Sequence, residues 1–163
     1  MNALWDYFWP LFALGVVSGA ILGSVWLRRK RPVFLVLGAI IALGGAWAWH
    51  GPIGGADRLV ASVESQARTS LDDYEMTQVQ AHLQRGPLTR RLLLSGPADD
   101  FQRSELVKIM DQIPGVSEAE WSEARGIPLL VQAAMVAVLG FLLGLLVAYV
   151  VELRRRYNSQ WTW

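Results

Sequence analysis

The sequence predicts an all-α membrane protein with three transmembrane helices that also carries one small α+β soluble domain of order α-β-β-α-β. Three apolar blocks predict the helices, at residues 10–27, 32–49 and 128–151. The first two blocks contain no ionisable side chain, and Gln132 is the only strongly polar residue of the third. Because a helical residue rises about 1.5 Å, the 18-residue first and second blocks each span roughly 27 Å, which just covers a hydrocarbon core, and the longer third block covers it with room to tilt.

Prolines and tryptophans support the ends of these blocks. Pro10, Pro32 and Pro128 each open a block, as is typical of the first helical position, where a missing N–H costs nothing. The eight tryptophans follow the pattern of an aromatic belt. Five flank or end the first two blocks, namely Trp5, Trp9, Trp26, Trp47 and Trp49, and three lie outside the third, namely Trp121, Trp161 and Trp163. The N-terminal flank holds Asp6 and no Lys or Arg, so we expect a retained helix rather than a signal peptide.

Basic residues predict the orientation. Arg28, Arg29, Lys30 and Arg31 form the link between the first two helices, and Arg154, Arg155 and Arg156 follow the third. The positive-inside rule therefore places both clusters on the cytoplasmic side, in contact with anionic lipid. For a bacterium this means an inner-membrane protein whose segment 51–127 is periplasmic. This multi-pass arrangement gives three regions: residues 1–50 with an outside N-terminus, a periplasmic domain at 51–127, and a helix with a basic cytoplasmic tail at 128–163.

The segment between the second and third blocks has the periodicity of a small domain. An apolar helical stripe is followed by two strands joined by a turn at Arg85-Gly86-Pro87, a second helix capped by Asp99 or Asp100, and a short strand. The helical stripes are Ala56, Leu59, Val60, Val63 and Ala67, then Leu106, Ile109, Met110 and Ile113; the strands are 78–84, 88–95 and 116–121. We expect both helices to cover one face of the sheet.

Residues 57–121 resemble the BON domain, a bacterial module. The resemblance rests on Leu94 and Gly96 at the end of a strand, an acidic helix start, and Gly115-Val116 at the entry to the last strand. It implies a place in the cell envelope and binding of phospholipid or partner proteins rather than catalysis. The chain departs from the usual arrangement because it has neither a second copy nor a peptidoglycan-binding module, which puts attachment to the cell wall in doubt.

Little in the sequence points to chemistry. The chain has no cysteine and two histidines, His50 and His82, and its acidic clusters lack the ligand spacing of a calcium loop. We expect no enzyme activity, cofactor, metal site or nucleic-acid partner; the alternative enzyme would use His82 with Asp72 or Asp73. Ionisable groups at membrane depth are also missing, which argues against transport.

Small residues recur at four-residue spacing on two of the helices. Gly15, Gly19 and Gly23 mark one face of the first helix, and Gly140, Gly144 and Ala148 mark one face of the third. Such faces let helix backbones approach closely, either within the chain or against a neighbouring protein. We expect Gly144→Leu to leave membrane insertion intact and to remove a partner complex, and Gln132 to bond to a neighbouring helix.

These observations predict a non-catalytic accessory or structural subunit. Its helices would pack against a larger membrane complex of the respiratory or photosynthetic type, and its BON-like domain would interact on the periplasmic side. The alternative is a free-standing envelope sensor or lipid-binding protein that uses the same domain as its receptor.

Overall fold

The computed structural model describes residues 2–121 and 127–159. In this part of the chain the protein is mostly helical, with five helices and one small three-stranded sheet, and Trp161 and Trp163 lie outside it. Three of the helices, α1, α2 and α5, are long and apolar enough to cross a membrane. The elements are α1 (Ala3–Arg29), α2 (Val33–His50), α3 (Gly55–Asp73), β1 (Gln80–Arg85), β2 (Leu88–Ser95), α4 (Asp100–Met110), β3 (Glu118–Glu120) and α5 (Leu129–Ser159).

Two predicted helix ends are wrong. Helix α1 begins at Ala3, so Pro10 lies inside it rather than at its first position. The proline cannot donate to the carbonyl four residues earlier and its ring crowds that carbonyl, but the flanking apolar residues continue the helix. Helix α5 runs past residue 151 to Ser159 because no glycine or proline follows to end it, so Arg154–Arg156 are helical.

The described residues divide into two compact units. One, here called the sheet unit, holds residues 2–7, 54–121 and 127–132; the other, the helical unit, holds residues 8–53 and 133–159. The sheet unit therefore contains α3, the three strands and α4, and the helical unit contains α2 with most of α1 and α5.

The sheet unit is built on the central strand β2, which runs antiparallel to β1 and parallel to β3. Leu83 lies opposite Leu92, which in turn lies opposite Ala119, so these side chains share one face of the sheet. All three are buried, whereas most residues on the other face, such as His82, Arg91 and Glu118, are partly or fully exposed. Since α3 packs on β1 and α4 on β3, both helices cover this single buried face.

Helices α3 and α4 contribute the other half of this core. Every residue of the predicted α3 stripe is buried, and Val63 and Ala67 are fully enclosed. In α4, Leu106 and Met110 are buried, and Asp99 caps the helix by accepting a hydrogen bond from the N–H of Gln102 at 2.7 Å. The helix ends at Met110, so Ile113 is buried in the following loop rather than on the helix.

Carboxylates from the helix side cover both edges of the sheet. The N–H of Leu83 in edge strand β1 donates to Glu64 at 3.1 Å, and the N–H of Ala119 in edge strand β3 donates to Asp111 at 2.6 Å. Arg68 covers a further edge group by donating to the carbonyl oxygen of Val79 at 3.2 Å. Such contacts satisfy edge groups that would otherwise be open to another strand. The predicted last strand is shortened to the three residues of β3.

The helical unit has the reverse distribution of side chains from that of a water-soluble bundle. The buried residues of α2 are Gly38, Ala42 and Ala46. Large apolar side chains of the same helix lie on the outside, among them Ile40 at 59 % exposure and Trp47 at 64 %. Apart from Leu11 and Phe141, the buried residues of this unit are small, and most of its large apolar side chains form its surface.

Candidate functional site

The glycine faces of α1 and α5 lie against each other. A Cβ atom added at Gly144 would be 2.2 Å from the carbonyl oxygen of Val16, and one added at Gly19 would be 2.2 Å from the carbonyl oxygen of Phe141. Real contacts between carbon and oxygen are longer than about 3.3 Å. Only glycine therefore permits this approach of the two backbones.

The same geometry holds along the whole contact. Gly15 faces the carbonyl oxygen of Ala137, Gly140 faces that of Phe12, and Gly23 lies beside Leu145 and Ala148. Of the two possibilities left open by the sequence, the structure uses these faces within the chain. The expectation that Gly144→Leu leaves membrane insertion intact stays a prediction, but leucine at this position would also collide with the backbone of α1.

A third small-residue face, on α2, was missed. Gly38 lies against the ring of Phe141, and a Cβ added at Gly45 would be 2.1 Å from a methyl carbon of Leu14. The signal was present in the sequence, since Gly38, Ala42 and Ala46 recur at four-residue spacing. Helix α2 therefore joins the same core through small residues.

The two basic clusters meet at one carboxylate. Glu152 of α5 lies 4.0 Å from Arg28 of α1 and 3.3 Å from Arg156 of its own helix. The Glu152 side chain is 17 % exposed, whereas both arginines are exposed. The other cluster members are exposed as well: Arg29, Lys30, Arg31, Arg154 and Arg155. The contact places residues of both clusters at the same end of the helical unit.

The residues behind the BON resemblance have clear structural roles. Gly96 ends β2 with φ +131°, and a Cβ there would lie 2.6 Å from the carbonyl oxygen of Gln78. Gly115 has φ +119°, and a Cβ there would lie 2.5 Å from a methyl carbon of Val63. Leu94 and Val116 are buried in the same core. Both glycines are required by local geometry, whichever family the fold belongs to.

The one histidine of the sheet unit lies beside a different carboxylate from those considered in the sequence. Nδ1 of His82 is 3.9 Å from Glu64, and Nη2 of Arg85 donates to both oxygens of the same carboxylate at 3.0 and 3.1 Å. Asp72 is instead paired with Arg68 one turn away. His82, Glu64 and Arg85 border an open cleft of about 570 Å³. His82 is exposed, and Glu64 is already committed to an arginine and a backbone N–H, so the arrangement resembles an ion-pair network more than a general base.

Gln132 bonds to a strand rather than to a neighbouring helix, which corrects the expectation. Its side-chain oxygen lies 3.4 Å from Nη1 of Arg90 in β2, and its side-chain nitrogen donates to the carbonyl oxygen of Ile127 at 3.1 Å. Arg90 also donates from Nε to the carbonyl oxygen of Gly115 at 3.0 Å. Trp121, expected near a membrane surface, follows β3 and contacts α4. Its indole N–H donates to the carbonyl oxygen of Arg103 in that helix at 3.2 Å.

The described residues contain no group of three or more histidine and acidic side chains placed to hold a metal ion. Comparison of the chain with protein-family models, with curated proteins and with solved structures found no match. The function is therefore inferred from the geometry of each unit.

Proposed function

We propose that the chain is a non-catalytic accessory subunit of a bacterial inner membrane, which it crosses three times, and that it presents a BON-like sheet unit to the periplasm. The observation that carries this proposal is the reversed packing of the helical unit, with small residues inside and large apolar residues outside. In water such a surface is costly. In lipid it costs nothing, and close packing of small residues holds the helices together.

The size of the effect can be estimated on α2. Five of its large apolar side chains are 43–64 % exposed: Val36, Ile40, Ile41, Leu43 and Trp47. Burying such a side chain is worth about 1.5–3 kcal/mol, so half-exposure forgoes roughly 1 kcal/mol for each. The total of roughly 5 kcal/mol from one helix approaches the whole stability of a typical domain in water. A hydrocarbon surrounding removes this cost.

Charge supports the orientation within that membrane. The meeting of Arg28 and Arg156 at Glu152 is consistent with both basic clusters facing the same compartment. The positive-inside rule then assigns that compartment to the cytoplasm, where the exposed arginines can contact anionic lipid. The segment 51–127, with 8 Lys/Arg against 12 Asp/Glu, is left on the periplasmic side.

The role of accessory subunit rests on how the surfaces are used. The glycine faces of α1 and α5 are occupied within the chain, so they are not free to dock a partner. A larger membrane complex would instead contact the outer face of α2 or the sheet unit. The fully committed Glu64 beside His82 favours a binding role over catalysis for the sheet unit.

Purification of the full chain from its native membrane in a mild detergent tests the proposal. We expect an integral membrane complex at fixed stoichiometry with the wild-type chain, and loss of that complex when Ile40 and Trp47 on the outer face of α2 are both changed to alanine. Val17→Ala on the outer face of α1 is the control. A lone monomer from the wild type would contradict the proposal and favour the free-standing lipid-binding alternative.

A further inference from the structure

An open cleft of about 530 Å³ lies between the carboxyl ends of the two helices of the sheet unit. It is bordered by the last turns of α3 and by Tyr74 behind them, and by the end of α4 with the loop that follows it. Both helices cover the same face of the sheet, and their C-terminal ends meet at this cleft. Because the C-terminal end of a helix carries partial negative charge, two such ends at one cleft favour a cation.

The charged side chains near this cleft strengthen the preference for a cation. Asp73, the last residue of α3, borders the cleft, and the last turn of this helix contains no basic residue. The neighbouring Arg68 is paired with Asp72 instead, and Lys108 in the last turn of α4 is paired with Glu105. In the described part of the chain, these basic groups therefore do not offset the charge of Asp73.

The neutral polar groups of the cleft present mainly hydrogen-bond acceptors. Ser65 and Thr69 each donate their hydroxyl hydrogen to a carbonyl oxygen of α3, at 2.9 and 3.0 Å. Gln66 donates from its side-chain nitrogen to the carbonyl oxygen of Ser62 at 3.2 Å. The two hydroxyl oxygens and the side-chain oxygen of Gln66 keep lone pairs for a ligand. A matching ligand must bring several donors, as the N–H groups of a primary ammonium ion do.

The rest of the cleft is apolar or aromatic. Ile109, Ile113 and Pro114 form an apolar wall on the side of α4. Tyr74 is 55 % exposed, and the face of an aromatic ring attracts a cation. An inorganic cation would gain nothing from the apolar wall, whereas an organic amine would remove its hydrocarbon group from water there. The borders of the cleft therefore favour an organic amine.

We propose that the cleft between α3 and α4 binds a small primary amine, with its ammonium group at Asp73 and its hydrocarbon group against Ile109 and Pro114. This site goes beyond the proposed function. It depends neither on the membrane nor on a partner complex, since every residue that carries it lies in the sheet unit.

The test is saturation-transfer difference NMR of the full chain in a mild non-ionic detergent at neutral pH, with n-butylammonium as the probe and protein-free micelles as the blank. We expect saturable binding of butylammonium and much weaker binding of butan-1-ol, its neutral counterpart of similar size. Asp73→Asn should weaken binding of butylammonium about tenfold, because it removes the charge that the ammonium group contacts. Asp57→Asn, which removes an equal charge from the first turn of the same helix, should leave the affinity unchanged.

A second variant supplies an ammonium group from the chain itself. Gln112 borders the cleft and is exposed, so Gln112→Lys leaves the core intact and places a lysine side chain beside Asp73. It should abolish binding of the probe. Ser104→Lys, at an exposed position of α4 away from the cleft, should not.

Three outcomes would overturn the site: a wild-type chain without saturable binding of butylammonium, equal affinity for butan-1-ol, or Asp73→Asn and Gln112→Lys variants that bind as the wild type does. These failures are distinct from failure of the proposed function, which is tested by isolation of the complex. A chain without a partner can still bind the amine, and a chain within a complex can fail to bind it.

Discussion

The contact between α1 and α5 gives the sharpest quantitative prediction, through Gly144→Ala. The added Cβ would lie 2.2 Å from the carbonyl oxygen of Val16 and 2.7 Å from the backbone nitrogen of Ala20. Relief of the first contact to about 3.3 Å requires a displacement of about 1 Å. Because both obstacles are backbone atoms, no side-chain rotation can supply it, and the two helices must separate.

Such overpacking typically costs about 1–3 kcal/mol, and a gap of 0.5–1 Å elsewhere in the interface also forfeits part of its dispersion energy. We therefore expect Gly144→Ala to lower the free energy of unfolding by at least about 1 kcal/mol. The assay is titration of the detergent-solubilised full chain with sodium dodecyl sulfate, with helix content followed by circular dichroism.

Gly44→Ala is the matched control for this measurement. Gly44 lies in the middle of α2, and a Cβ there would meet nothing within 4 Å. Alanine is favoured over glycine in a helix by up to about 1 kcal/mol, so this variant should be as stable as the wild type or more stable. A Gly144→Ala chain that matches Gly44→Ala in stability would refute the close approach of α1 and α5.

Two further substitutions test the sheet unit in the full chain, by amide hydrogen exchange of β2 and α4. Gly96→Val should speed exchange in β2 and lower the local free energy of opening by about 2–4 kcal/mol, because valine would have a positive φ and would collide with the backbone of Gln78. Unchanged protection would show that the strand end can rearrange. Asp99→Ala should lower the stability of α4 by about 1 kcal/mol because it removes the helix cap. Asp100→Ala, which removes no cap, should lower it less, and equal effects of the two would exclude the capping role.

Local patterns of the sequence were sufficient for most of the fold. The stripe of α3 is buried because residues at helical spacing necessarily share a face, as Leu59 and Val63 do. The alternation of Ala81 and Leu83 placed β1 correctly on the core for the equivalent reason in a strand. Helix ends were less predictable. Pro10 is predicted to begin the first helix, yet the helix begins at Ala3, because its apolar flanks outweigh the lost hydrogen bond and the steric cost of the proline ring.

Long-range contacts had no such local signal. Glu64 covers an edge group of β1 nineteen residues away, and Gln132 meets Arg90 forty-two residues away. Nothing in the spacing of these polar residues distinguishes them from other surface side chains. The glycine faces show the intermediate case: their four-residue period predicted close packing, but only the three-dimensional arrangement shows that Gly144 meets Val16 of the same chain.

The central claim, that the chain crosses the membrane with its sheet unit opposite the basic ends, is tested most directly by cysteine accessibility. The chain has no cysteine, so single replacements can be read without background. Gly86, in the exposed turn between β1 and β2, and Asn158, at the exposed end of α5, are suitable sites. In intact bacterial cells with a permeabilised outer membrane, we expect a membrane-impermeant thiol reagent to label Gly86→Cys, and Asn158→Cys only after lysis. Labelling of both sites before lysis, or of Asn158→Cys alone, would contradict the account.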